Sequence, residues 1–504
     1  MEYNRTSGCR GPYGRGQQCF QVEITSSMNA TFLVTQKAAP RPAAKRLAEF
    51  RLIPRIETFP QFISFAQTWP GKVTLLAAFG LGLRLFLPNR SSAMFLTSLL
   101  ALTLMTFMPE RRRFILAVSP IALVVMQTFQ DPVLLSLNLG VIALGTFLYW
   151  CAIRWPKSWF GQRPVAFLLT AFTLLILFAC AATPRSLPYS ILWSLVGLMA
   201  SYVWFIGYAL IDRSSDPSRD LTLELATFRP LWGSTNTPFP KGAAYLRRIE
   251  AQNPEQLAIV QLKGLKLLAW AILLAVFKAL GTDFFYGYLG IPTSAQALAM
   301  SVHGTPVAWH LRWESQILFF FGITLNVTIM GHRFISCCRM AGFNALRNSY
   351  RPLSSKTIAE FFNRFYYYFK ELLVDFFFYP TFLRYWKGHK RLRMVFATFA
   401  AAAFGNSFYH FTRDWHFIQN DGPWKALVYY QVLFFYSVIL ATALSISQLR
   451  KRGPRPKGLV RGHLFPVFGV MLFYCLLSVF IDEDRLYPLV VHFKYLASLF
   501  FVHF

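Results

Sequence analysis

Twelve apolar runs, each long enough or nearly long enough to cross a bilayer, constrain this chain more than any other feature of its sequence. They read at 73–87, 93–108, 114–129, 132–153, 164–183, 189–211, 264–280, 315–332, 394–411, 424–447, 464–480 and 487–502. A hydrocarbon core about 30 Å thick needs about 20 apolar residues as helix, and fewer where neighbours let a short helix tilt or re-enter. Runs of this kind read as spanning helices, some of them re-entrant or tilted against neighbours. The expected fold is therefore all-α and polytopic, with about 10–12 transmembrane helices plus re-entrant or amphipathic helices.

Charge supports the same reading. Only 14% of the residues are charged, against about 25% in soluble domains. Basic residues outnumber acidic ones by 51 to 22. A nucleic-acid binder gathers such an excess on one soluble face, whereas here it is divided among short loops, which excludes nucleic acid as a partner. With Arg41 to Arg55 placed in the cytoplasm, the loops expected inside hold Arg111-Arg112-Arg113, Arg154/Lys157/Arg163, Arg384/Lys387/Lys390/Arg391/Arg393 and Arg450/Lys451/Arg452/Arg455/Lys457/Arg461. The loops expected outside hold Asp131, Asp283, Asp414/Asp421 and Asp482-Glu483-Asp484. This alternation implies a multi-pass protein of the cell (inner) membrane with basic loops in the cytoplasm, and the lipid bilayer is its first partner.

The chain divides into four regions. Residues 1–72 form a polar, basic N-terminal segment, partly disordered, without the apolar core of a signal peptide; it reads as a flexible tail or as sequence ahead of a start at Met28. Residues 73–211 are N-terminal transmembrane helices, 212–423 a core with a re-entrant segment, and 424–504 C-terminal transmembrane helices. The seven cysteines give no disulfide framework. Cys151, Cys180 and Cys475 lie inside apolar runs as small hydrophobes, Cys9 and Cys19 lie in the leader, and Cys337 and Cys338 read as packed thiols or as acylation sites.

Within the core, Lys356 to Tyr379 is amphipathic. Phe361, Phe365, Phe369, Leu372 and Phe376 recur at helical spacing, and Glu360 and Arg364 pair at i,i+4 on another face. Such a helix either lies at the interface as an anchor or dips in as a re-entrant floor.

No metal-ligand spacing, P-loop or dinucleotide fingerprint is present, and Gly80-Leu81-Gly82 reads as helix packing. The informative polar residues are those at membrane depth, where ionisable groups are costly. Met394 to Phe411 places His410 near the end of a run rich in alanine, with Asn406 four residues earlier on the same helix face. A neutral imidazole is a usable base in such a place, and it is as readily a structural residue. The other histidines, His303, His310, His332, His389, His416, His463, His492 and His503, read as solvated groups at loops and span ends.

The order of these features resembles the membrane-bound O-acyltransferase (MBOAT) family, most closely the bacterial branch that acetylates alginate or D-alanylates teichoic acid. The resemblance covers roughly residues 220–420. Phe228, Pro230 and Gly233 precede an apolar helix, followed by Gly342-Phe343, Asn348 to Leu353 (NSYRPL), Thr357 to Phe365 (TIAEFFNRF) and Asp375 to Pro380 (DFFFYP). Tyr409-His410 stands where the family has a Trp-His pair. The family's upstream His or Asn falls at Tyr366, with Asn363 about one turn earlier. The resemblance implies transfer of an acyl group from acyl-CoA or an acyl-carrier protein to a hydroxyl of a polysaccharide, lipid or small alcohol. No cofactor is implied beyond the acyl thioester as co-substrate, and an accessory surface-acylation protein is a candidate partner. His410 would be the general base, Asn363 and Tyr366 further catalytic candidates, and Asn406 and Tyr409 substrate-binding. Glu360, Arg364 and Asp375 would orient the re-entrant helices. The rival readings are a transporter or flippase, for which no inverted repeat is seen, and a catalytically degenerate scaffold of the same fold.

Overall fold

The computed structural model describes residues 52–86, 92–212, 221–233, 237–450, 458–481 and 487–501. Cys9, Cys19, Met28, Arg41 to Arg51, Lys451 to Lys457, Asp482-Glu483-Asp484 and His503 lie outside these residues. Arg55–Phe504 is one compact unit, and all the described helices belong to it.

The apolar runs form helices, begun by residues suited to that task. Helices α1 (Trp69–Arg84), α2 (Ser92–Phe107), α3 (Arg112–Thr128), α4 (Pro132–Arg154), α5 (Pro164–Ala181) and α6 (Leu187–Asp212) make the first group. Asp131 accepts the Leu134 N–H at 2.9 Å ahead of Pro132, a cap that satisfies one of the unpaired N–H groups at the start of α4. Asn253 does the same for α7 (Pro254–Thr282), accepting from Gln256 at 2.8 Å. Helix α8 (Trp309–Met340) packs along α7. After the re-entrant region come α11 (Lys390–Phe399), a π-helical segment at Ala400–Gly405, α12 (Asn406–Arg413), α13 (Pro423–Leu449) and α14 (Phe465–Leu477). Among the described residues, seven helices are long and apolar enough to cross a membrane: Pro132–Arg154, Pro164–Ala181, Leu187–Asp212, Pro254–Tyr288, Trp309–Met340, Pro423–Leu449 and Val460–Phe480. The chain is an all-α, multi-pass membrane protein. Helices α1 and α2, at 16 residues each, and α3, at 17, are the shorter helices at three other expected spans.

Two expectations fail here. The run 487–502 does not cross the bilayer. Its helix, α15 (Leu489–Ser498), has 10 residues and so spans about 15 Å, half of a hydrocarbon core. His492 near its start hydrogen-bonds the Val479 carbonyl at 2.8 Å, and the Leu499 carbonyl just past its end accepts from Trp309 and Trp313 at 2.7 and 2.8 Å. Val479 ends one spanning helix and Trp309 begins another, and Gln316 of α8 joins those ends by donating to Ser478 at 2.7 Å. Both ends of α15 therefore sit at one end of the bundle.

The amphipathic run is also not one helix. It breaks at Tyr366 (φ −135°, ψ 73°) into α9 (Ile358–Phe365) and α10 (Tyr367–Leu373), the latter continued by a π-helical segment at Val374–Phe378. The two short helices, hereafter the hairpin, place Phe361, Phe369, Leu372 and Phe376 in the core, while the other residues of α9 are half-buried. Phe361 stacks on Tyr474 of α14 at 4.0 Å.

Burial brings corrections of smaller scale. His332 and His492 are 5% and 1% exposed, so solvation does not explain them. Cys337 and Cys338 are buried, which makes them packed thiols.

The hairpin is drawn against α6 and the α11–α12 helix by glycine. A Cβ on Gly207 would stand 2.4 Å from the Phe376 ring, and one on Gly405 would stand 2.5 Å from the Phe377 ring. Gly207→Ala should therefore push Phe376 out of its seat, an overpacking cost of about 1–3 kcal/mol. The expected result is a lower thermal midpoint for the purified protein in detergent. An unchanged midpoint would contradict the close approach.

Candidate functional site

The hairpin break is held open by the NSYRPL segment. Ser349 donates its hydroxyl to the Phe365 carbonyl at 2.6 Å, and the Tyr350 N–H donates to the Arg364 carbonyl at 2.9 Å. On the other side the Tyr367 N–H donates to the Asn348 carbonyl at 2.9 Å, and the Tyr368 N–H to Asn348 Oδ1 at 3.2 Å. Backbone groups freed by the interruption thus find partners inside the protein, the condition on which non-helical backbone survives at membrane depth. Helix α9 is separately capped: Thr357 Oγ1 accepts from the Glu360 N–H at 3.1 Å, and Glu360 accepts from the Lys356 N–H at 2.7 Å. The i,i+4 pair between Glu360 and Arg364 forms at 2.7 Å, and Arg364 donates to Ser354 at 3.0 Å.

A second irregular segment meets this break. Residues 237–242 are not helical, yet Thr237 is 0% and Phe239 1% exposed. Phe239 stacks on Tyr366 at 6.1 Å between ring centroids, and its carbonyl accepts from the Trp232 indole N–H. The Thr237 hydroxyl lies 2.7 Å from that of Tyr409 and 3.3 Å from that of Tyr366. Three hydroxyls thus join three elements: the buried loop, the hairpin break and α12. Trp204 packs on Tyr409 at 5.7 Å and stands eight residues inside the end of α6, which puts this junction about 12 Å in from that helix end.

His410 follows Tyr409 and is half-buried. The Phe369 ring bridges the group, 6.3 Å from His410, 4.7 Å from Tyr409 and 5.3 Å from Tyr366. Of the residues selected from sequence, Tyr366, Tyr409 and His410 therefore gather around Phe369. Asn363 is half-buried on α9, one turn before Tyr366. Asn406 turns toward α13, where its Nδ2 donates to Ser437 at 3.1 Å, and its Oδ1 is buried with no hydrogen-bond partner among the described residues. Asn406 directly follows the π-helical segment Ala400–Gly405, a kind of irregularity frequent at functional sites.

Asp375 belongs to a separate ionic group. Lys241 Nζ lies 2.7 Å from Asp375 Oδ2 and 2.9 Å from Glu371 Oε2. Asp375 also accepts from the Tyr208 hydroxyl at 3.1 Å, and Glu371 pairs with Lys370. Burial works against both charges of the Lys241–Glu371 pair. Lys241 has φ +98°, a conformation that costs a side-chain-bearing residue about 1–3 kcal/mol and persists only where its surroundings enforce it.

Sequence reasoning missed Thr237, Lys241, Glu371 and Tyr208. A lysine with no aspartate or glutamate near it in sequence, inside a segment framed by Pro238, Pro240 and Gly242, was the one available signal. No group of histidine, cysteine and acidic side chains suited to a metal ion occurs among the described residues.

No family model matches this chain, and no curated protein matches it.

Thr237→Val removes the hydroxyl shared by two tyrosines and should cost about 1–3 kcal/mol, seen as a lowered thermal midpoint. Thr237→Ser keeps the hydroxyl and should stay near wild type. Equal midpoints for the two variants would rule out the shared hydroxyl as a stabilising element.

Proposed function

We propose that the chain is a divergent membrane-bound O-acyltransferase that moves an acyl group from a cytoplasmic thioester, acyl-CoA or acyl-carrier protein, to a hydroxyl of a polysaccharide, lipid or small alcohol. One observation carries the reading: Tyr366 and Tyr409, the two positions where the sequence departs from the family it resembles, are joined through Thr237 beside His410. Both tyrosines carry hydroxyl hydrogen atoms to this junction.

In this mechanism His410 takes the proton of the acceptor hydroxyl as its oxygen attacks the thioester carbonyl carbon. The negative charge that develops on the carbonyl oxygen needs a donor, and the Tyr366 hydroxyl is the candidate nearest the break. Collapse of the tetrahedral intermediate breaks the C–S bond, and the thiolate recovers the proton from the imidazolium. The first step requires the neutral imidazole, and the Phe369 ring stands 6.3 Å from it. In this reading the exposed basic residues from Arg384 to Arg391 face the cytoplasm and steer the anionic donor, and the bilayer in question is the cell's inner membrane. An accessory surface-acylation protein belongs to the same reading.

His410→Ala, with insertion and expression verified, should lower thioester-dependent acyl transfer by about 10²–10⁴-fold, the usual worth of a general base. Tyr366→Phe should lower kcat by about 10²–10³-fold as the loss of one oxyanion donor. Wild-type rates in the histidine variant would overturn the assignment of the base.

A further inference from the structure

Lys241 sits four residues after Thr237, a distance that extended chain covers in at most about 14 Å. A shift at one end of this short buried segment is therefore felt at the other. The two carboxylates that receive the lysine are oriented by neighbours of their own. Glu371 is paired with Lys370, and Asp375 accepts from Tyr208. The lysine thus docks into a preformed acidic seat. Glu371 and Asp375 lie on the element that begins at Tyr366, so the ion pairs register the loop against the tyrosine that its other end touches. Downstream, the Ala244 N–H donates to Asp212 at 3.1 Å, and a Cβ on Gly242 would strike that carboxylate at 2.1 Å. The segment is therefore pinned to α6 immediately after Lys241. The left-handed backbone at Lys241 is the turn between these two anchors.

We propose that Lys241 is a positioning residue whose ion pairs to Glu371 and Asp375 set the reach of the Thr237 hydroxyl between Tyr366 and Tyr409. Lys241 touches no reacting atom in this scheme. It fixes three elements in one register so that the hydroxyls beside His410 keep their geometry. The kinetic consequence rests on the acyl-transfer reading; the geometric consequence does not.

The test places 3-fluorotyrosine at position 409 of the full-length protein and records its fluorine resonance, with Thr237→Val as the reference for a lost hydroxyl partner. Lys241→Met should move the resonance to the Thr237→Val position. It should lower kcat by about 10²-fold, as a misplacement near 1 Å does, with little change in the donor KM. Lys241→Arg, which keeps the cation, should return the resonance toward wild type. Because Lys241→Met strands two buried carboxylates, the variant Lys241→Met/Glu371→Gln/Asp375→Asn removes that charge penalty and decides the matter if the single variant does not fold. It should fold and still show the displaced resonance and low kcat. A wild-type resonance in either methionine variant, or recovery of kcat in the neutral triple variant, overturns the proposal. If the wild-type protein itself transfers no acyl group, the functional reading falls, and the resonance alone decides the role of Lys241.

Discussion

The hydrogen bonds that Asn348 accepts and Ser349 donates on the two sides of Tyr366 are the ones on which the rest of the interior depends. A helix interrupted within a bilayer exposes N–H and C=O groups whose burial without partners costs several kcal/mol each. By supplying those partners, the NSYRPL segment lets the chain turn inside the protein and present an aromatic hydroxyl at the turn. The Thr237 hydroxyl lies 3.3 Å from that hydroxyl.

Packing and charge fix what hydrogen bonding permits. Gly207 and Gly405 let the Phe376 and Phe377 rings lie directly on helix backbone, so the hairpin is clamped between α6 and the π-helical segment ahead of α12. Trp204 fills the angle between these rings and Tyr409. On the same stretch, directly before those rings, Lys241 ties the buried loop to Glu371 and Asp375, so apolar contact and an ionic group act together there.

The apolar runs were legible because hydropathy is a local property that needs no partner. The same locality misread 487–502, whose composition suits a span although its helix ends after ten residues and turns back onto Trp309 and Trp313. The stripe through Phe361, Phe365 and Phe369 keeps helical spacing straight across the break at Tyr366. Periodicity could not reveal the break, since its partners, Asn348 and Ser349, lie 18 and 17 residues ahead of Tyr366. Tyr366, Tyr409 and His410 were found through the order of motifs along the chain. Thr237 and Lys241 were not, because their partners lie 129 to 172 residues away and their roles exist only in three dimensions. His332 and His492 were read as solvated for a related reason: a position at a helix end says little about what the neighbouring helices cover.

The central claim is that the hairpin break, the buried loop and α12 converge on one reacting centre. An electron cryo-microscopy map of the protein with a bound non-hydrolysable acyl-CoA analogue tests it most directly. The account predicts the analogue's carbonyl group beside Phe369, its oxygen within hydrogen-bond distance of the Tyr366 hydroxyl and its carbon on the His410 side of the junction. An analogue bound away from Tyr366 and His410, or a junction filled by a closed side-chain core with no room for a carbonyl group, would contradict it.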